Sequence, residues 1–458
     1  MTGAVAGGSP PAGQKRRLSP PPRRPLAAAI AVACAGTMLT GIGYAVAGPP
    51  AAGAGRGAAT GGHGLAGISG TSGPSPAAPA GGPRFGAGDL AAVDAILARR
   101  ARALRTGDLG VFRADVAPAL RPGQRELFAG LRRLPLATWR QRADPAATPV
   151  PVRGPAGRDA WTLRITVRYR LRGFDHTDTV DTQYLTFARA GGRLSIVGDG
   201  TAQGLVDDPE IWADGPLSVV RGRHSLVIGT GGQGPRLRQI AALLDRAVPG
   251  VTGVVGAGWA RRAVALVPAT DAQAAALADD GPSLREIAAV ATVTRGAGGG
   301  RGSDRIVVSP AGYPRLNEIG RHVVLTHELT HIATRAAADA RTPAWLVEGF
   351  ADYVGYKGLD VPVASAAREL RREVAGGRLP SALPGPADFS GASGRLPQAY
   401  EEAWLACRMV AGRYGEERLV RLYRVAGARP GEAFRRVLGV DAAEFTSMWR
   451  DYLRRELG

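Results

Sequence analysis

The stretch Val323-Val324-Leu325-Thr326-His327-Glu328-Leu329-Thr330-His331 constrains this chain more than any other. It reads His-Glu-x-x-His on a helical pattern. Two histidines four apart stand one turn above each other, about 40° apart around the helix axis. Both imidazoles then reach one Zn²⁺ at ~2.0–2.1 Å. Glu328 lies beside that metal, placed to take a proton from water. Leu325, Leu329 and Ile332 form a second, apolar face. The pattern therefore predicts a helix buried on that face, with its histidines lining a cleft. The chain holds only six His. Chance placement gives the motif roughly 0.003 times in a chain of this composition. The competing reading is a buried helix with two hydrogen-bonded histidines, and a carboxylate further along weighs against it.

That carboxylate is Glu348, in Thr342-Pro343-Ala344-Trp345-Leu346-Val347-Glu348-Gly349-Phe350-Ala351-Asp352-Tyr353. Thr342 as N-cap and Pro343 as first helical residue predict a second helix. Glu348 and Asp352 are four apart and share one face of it. One can ligand the metal, and the other can accept the spare N–H of a ligand histidine and so fix its tautomer. Gly349 removes a side chain where two helices must approach closely. Trp345, Leu346 and Phe350 mark the helix as buried, which argues against a solvated Glu348. Three protein ligands and a free position make a catalytic zinc pattern, whereas a fourth residue closes a structural one.

His-Glu-Leu-Thr-His followed by Trp-Leu-x-Glu-Gly-x-Ala-Asp-Tyr resembles the gluzincin zinc metallopeptidases, most closely the peptidase MA-like families. The resemblance covers residues 206–458. It implies one Zn²⁺ on His327, His331 and Glu348, Glu328 as general base and a peptide or protein substrate. The spacing from the histidines to Glu348 is a few residues shorter than in the best-known gluzincins. The resemblance also implies an oxyanion-stabilising donor from the C-terminal helical part. Tyr400 occupies a comparable place, ahead of a helix after the ligand pair, with Tyr353 as a rival read as packing. It further implies that the strand just before the active-site helix is a sheet edge able to pair with an extended peptide. Residues 305–309 are the candidate. A non-catalytic, membrane-tethered binding protein on a peptidase-like fold is the alternative, and the intact motif argues against it.

Residues 1–25 are a basic tail with Lys15, Arg16, Arg17, Arg23 and Arg24 and no acidic residue. Residues 26–47 carry no charge and, as a helix, span ~33 Å, enough for a ~30 Å bilayer core. A signal-anchor with a cytoplasmic N-terminus and extracellular C-terminal domains is expected. Secretion after cleavage near Ala47 is the rival, because Ala45-Val46-Ala47 is an A-x-A site. Residues 48–84 are a Gly/Ala/Pro-rich tether. The net charge is +19. Nearly all of it is arginine, with no basic helix carrying interleaved aromatics and no zinc-finger spacing, so nucleic-acid binding is not expected. Cys34 and Cys407 lie in different parts of the chain, and no disulfide is expected.

Residues 85–205 read as a small α+β domain. Leu90, Val93, Leu97, Ala101 and Leu104 make a helical stripe stopped by Gly107, and a second helix covers 123–133. Trp161 to Leu171 alternate as a half-buried strand. Strands near 179–188 and 193–197 follow, joined by the hairpin signal Gly191-Gly192. This order resembles the nuclear-transport-factor-2-like cone, in topology alone. Residues 206–458 then read as a mixed sheet followed by helices, so the fold class is α+β. Gly229-Thr230-Gly231-Gly232-Gln233-Gly234 fits G-x-G-x-x-G between strand and helix. No acid ends the next strand, so it reads as a turn and not a dinucleotide site. A Pro/Gly-rich loop at 376–397 is long enough to border a cleft. Helices follow, the last started by Asp441 with Glu444.

Overall fold

A computed structural model describes residues 85–153, 159–213, 215–278, 287–336, 341–390 and 393–458. The expected tail, membrane span and tether at 1–84 lie outside the described residues. Among the described residues no helix is long and apolar enough to cross a membrane. The fold is α+β, built on two five-stranded sheets.

The first sheet follows α1 (Ala87–Thr106), α2 (Leu109–Arg113) and α3 (Arg121–Arg133). The stripe on α1 buries Val93, Ile96, Leu97, Ala101 and Leu104, and Gly107 caps it at φ +83° with its N–H on the Ala103 carbonyl. A left-handed turn there needs glycine. The strands are β1 (Leu136–Ala143), β2 (Val150–Arg153), β3 (Asp159–Leu171), β4 (Thr179–Ala190) and β5 (Arg193–Asp199). They run antiparallel in the order β1-β3-β4-β5, with β2 on the first half of β3. Trp161, Leu163, Ile165, Val167, Tyr169 and Leu171 are buried at alternate positions of β3, as period-two patterning requires. Gly191 and Gly192, both at positive φ, close the two-residue turn between Ala190 and Arg193, where the turn needs φ > 0 twice.

The second sheet comprises β6 (Leu217–Arg221), β7 (Ser225–Thr230), β8 (Ala263–Val267), β9 (Ala289–Arg295) and β10 (Arg301–Val308). Between β7 and β8 runs α4 (Gly234–Val255), and α5 (Asp271–Ala278) follows β8. The order is β6-β7-β8-β10-β9, with β7, β8 and β10 parallel and the two outer strands antiparallel. Every residue of β7 and β8 is buried, as for strands covered on both faces. The turn at 229–234 joins β7 to α4. Gln233 fills it, donating to the Thr230 carbonyl at 2.8 Å.

The expected edge at 305–309 is corrected here. The strand before the ligand helix, β10, is interior, and β9 is the edge. The Gly296–Gly300 reversal folds β9 back as a hairpin partner outside β10, whose other side is already taken by β8.

Among the described residues, eight further helices pack with α4 on the second sheet's outer side. They are α6 (Glu318–Thr334), α7 (Ala344–Tyr356), α8 (Val363–Ala366), α9 (Arg368–Ala375), α10 (Leu396–Tyr414), α11 (Glu416–Ala428), α12 (Ala433–Leu438) and α13 (Ala442–Leu457), after α5 at the sheet's end. The start of α7 differs from expectation. Pro343 stands at the N-cap with ψ 137° and Ala344 is the first helical residue; a residue before proline is held out of the helical region, which keeps Thr342 outside the helix. The opposite face of the sheet packs on the first sheet. Phe128, Trp139, Tyr169 and Leu171 share one apolar cluster with Leu226, Ile228, Leu266 and Val307. Arg305 of β10 forms a two-point ion pair with Asp175 at 2.7 and 3.0 Å, and both side chains are almost wholly buried.

Candidate metal centre

Asn317 starts α6 by accepting the Gly320 N–H at 2.8 Å. Arg335 ends it in the left-handed region at φ +56°. All residues from Val323 to Ala333 are buried. The expectation that the histidine face lines a cleft is therefore corrected. His327 and Glu328 are 0 % exposed, His331 3 % and Glu348 4 %. The cover comes from tertiary neighbours: α7 on one side, β9 on another, and α10 with its Tyr400. Among the polar residues buried on α6, Thr330 donates back to the Thr326 carbonyl at 2.8 Å, a bond that satisfies a hydroxyl inside a helix.

α7 crosses α6 and α10. A methyl group on Gly349 would stand 2.1 Å from the Ala403 carbonyl oxygen of α10, so glycine is what permits this approach. The crossing brings Glu348 and Asp352 onto the histidines. Glu348 Oε2 lies 3.3 Å from His327 Nε2 and 3.5 Å from His331 Nε2. The two Nε2 atoms are 2.8 Å apart. Asp352 Oδ1 is 2.6 Å from His327 Nδ1. That contact keeps a proton on Nδ1 and turns Nε2 inward.

His327, His331 and Glu348 form a buried group that could hold a metal ion, with one ligand atom from each, all within 4.8 Å of one another. Tetrahedral ligands at ~2.0–2.1 Å from a metal are roughly 3.3–3.4 Å apart, close to the two carboxylate distances. Glu348 Oε2 is buried and makes no hydrogen bond. A buried carboxylate oxygen between two imidazole nitrogens needs a cation or a proton there. The donor set therefore fits a metal ion. Asp352 stands behind His327, as the sequence predicted for one of the two carboxylates.

The electrostatics without a metal follow from these contacts. Burial lowers the pKa of His327, but Asp352 and Glu348 outweigh it and the value rises to about 10. Burial raises Glu348, but His331 and His327 outweigh it and hold the carboxyl at about 2. Burial depresses His331. Burial also lifts Glu328 to about 8, against the opposing pull of His327 and the Ala291 N–H. A carboxyl pKa near neutrality suits a group that both takes and returns a proton.

Two partners of the site carry no sequence signal of their own. The Ala291 N–H of β9 donates to Glu328 Oε2 at 2.7 Å. It is a backbone group, so only the sheet order reveals it. Glu328 Oε1 is buried with no hydrogen-bond partner, which leaves it available to a proton. Tyr400 lies with its ring centre 6.2 Å from that of His327, and Phe389 meets Tyr400 edge-on at 5.2 Å. Phe389 lies in the loop at 376–397, which thereby packs on Tyr400. Tyr353 points elsewhere and donates to Glu416 at 2.8 Å.

No family model matches this chain, and no curated protein or solved structure is significantly similar to it.

Proposed function

We propose that this chain is a zinc-dependent peptidase of the gluzincin kind, held outside the cell by the apolar segment at 26–47. One observation carries the reading. His327, His331 and Glu348 converge on one point, with the free oxygen of Glu328 on the same helix beside them. Two imidazoles and one carboxylate favour zinc over harder cations. Zinc bound there supplies Lewis-acid polarisation of a carbonyl and a lowered pKa for water. The protein's own residues do the rest. Glu328 takes the proton of the attacking water and returns it to the leaving amine. Asp352 holds His327 in the tautomer that presents Nε2. The Tyr400 hydroxyl donates to the developing oxyanion.

The edge strand supports a peptide as substrate. On β9 the backbone groups of Ala291 face Glu328, away from β10, and alternation turns those of Val293 the same way. An extended peptide pairing with Val293 and the Ala291 carbonyl would run past Glu328. The burial of the four site residues favours a second reading, a metal held for structure in a non-catalytic binding protein. Because these residues are buried, entry of a peptide requires the cover over them to move.

The test is a peptide library incubated with the full chain, with and without a chelator. Chelator-sensitive cleavage by the native protein, absent from Glu328→Gln, supports the peptidase. Stoichiometric zinc with no cleavage supports the structural reading. Membrane fractionation of cells tests the location: intact chain in the membrane fraction supports the anchor, and a mature N-terminus at Gly48 supports secretion.

A further inference from the structure

Between the first sheet and the segment leading into β6 lies a cavity of about 580 Å³. That size holds a small organic ligand. Its walls carry six carboxylates, from Glu126, Asp181, Asp199, Asp207, Asp208 and Glu210, and none of the described residues lining it is Arg, Lys or His. The chain as a whole has 58 Lys and Arg against 39 Asp and Glu, so this wall runs against the composition. Trp139 and Trp212 also line it, ring centres 5.6 Å apart and edge to face. Gln141 and Gln183, bonded to each other at 2.8 Å, complete its polar lining.

We propose that this cavity binds an organic cation, an ammonium or guanidinium group on an apolar stem. Some of the carboxylates already have partners. Asp208 pairs with Arg295 at 2.8 Å, and Asp207, Asp208 and Asp199 accept the N–H groups of Tyr184, Thr182 and Thr201. Asp181 and Glu210 are different. Asp181 Oδ2 and Glu210 Oε1 are buried without a hydrogen-bond partner. The indole N–H of Trp139, a residue 7 % exposed, also has none. Buried polar atoms left this way are costly unless something else satisfies them. Arg295 and Arg305 face these two carboxyl groups but are already engaged by Asp208 and Asp175; a cation beside the pair adds the counter-charge that the cluster as a whole lacks, and the indole faces receive its stem and its charge.

The groups facing this pair are Tyr169, which donates to Glu210 at 3.4 Å, together with Asp208, Arg295 and Arg305. Burial first, and Asp181 second, push Glu210 well above the usual carboxyl range, and burial also raises Asp181. The same Asp181, Asp208, Glu210 and Trp212 line a smaller adjoining cavity bordered by Thr292 to Arg295 of β9 and by Arg305, whose charge is taken by Asp175. The cation site thus opens toward the edge strand, so a free amine and a basic side chain on a peptide can present the same chemistry.

Titration calorimetry on the full chain tests this without any metal or activity, so its outcome is independent of the peptidase reading. The probes are butylguanidinium, its neutral counterpart butanamide, and the tripeptide Ala-Arg-Ala. Saturable binding of one butylguanidinium is expected. The double variant Asp181→Asn, Glu210→Gln is expected to bind it ~10–100-fold more weakly, the range of charge-assisted contacts. Tighter binding of Ala-Arg-Ala assigns a polypeptide side chain as the natural ligand, and weaker binding assigns a free amine. Butanamide binding as tightly as butylguanidinium overturns the proposal in the native protein, even if the double variant fails to fold. Undiminished butylguanidinium binding by a folded double variant overturns it as well.

Discussion

Glu328 on α6 accepts the Ala291 N–H of β9 at 2.7 Å, so the proposed base and the open edge of the sheet are held together. In Glu328→Gln the amide oxygen still accepts that N–H, and the metal ligands are untouched. Zinc content should equal the native value. Peptide cleavage should fall by ~10²–10⁴-fold or more, since one carboxylate serves both proton transfers. Steady-state rates at matched zinc occupancy decide it. An unchanged rate would remove Glu328 from the mechanism.

His331 and Asp352 should separate a ligand from its support. His331→Ala removes one of three donors and should abolish stoichiometric zinc binding, read by elemental analysis. Asp352→Asn keeps an acceptor for the His327 Nδ1–H but loses the charge at 2.6 Å. Its zinc affinity should drop ~10–100-fold without vanishing. Competition with a chromophoric chelator measures both. Equal losses in the two variants would contradict the assignment of Asp352 as a support.

Metal uptake should expel a proton. His327, held at about 10 by Asp352 and Glu348 against the lowering effect of burial, is protonated in the metal-free protein at neutral pH. Ligation needs its Nε2 bare, so zinc affinity should rise with pH toward 10. The stability of the metal-free fold moves the other way on that side. The raised His327 contributes fully below 6.5, its unfolded value, and its contribution is lost as pH climbs through about 10. The depressed Glu348 contributes above 4.5, and that contribution is lost as pH falls toward about 2. Calorimetric titrations of zinc in buffers of different ionisation enthalpy count the proton. A count of zero at pH 7 would refute this protonation state.

Gly349→Ala tests the helix crossing. The added methyl would meet the Ala403 backbone oxygen at 2.1 Å and its carbon at 2.4 Å. Neither atom is the end of a flexible side chain, so α7 must move off α10. A loss of ~1–3 kcal/mol or more is expected from overpacking, together with weaker zinc binding through a displaced Glu348. Urea unfolding and zinc titration of the same variant read the two effects. Native stability in Gly349→Ala would show that the helices are free to separate.

Much of the site was legible in the residues because its parts repeat at helical spacing. His327 with His331, and Glu348 with Asp352, each mark one helix face. The small residue between the second pair announces a close crossing. The strand β3 was legible from its alternation. β1 was not, because Arg140 and Arg142 alternate with Gln141 and its inward face is only partly apolar. The order of β9 and β10 depends on pairing between distant strands, and a sequence holds no local mark of it. The enclosure of the histidines escaped for the same reason. Ala291 and Tyr400 reach α6 from segments far away in the chain, and Phe389 backs Tyr400.

The buried pairing of Arg305 with Asp175 bears on modularity. Separating the chain near residue 206 would break the buried two-point pair that ties Arg305 to Asp175. It would also bare the apolar face that Leu226, Ile228 and Val307 now turn toward Tyr169 and Leu171. The two sheets should therefore melt in one calorimetric transition. The half that carries the histidines is not a transplantable cassette, because its partner half supplies part of its interior.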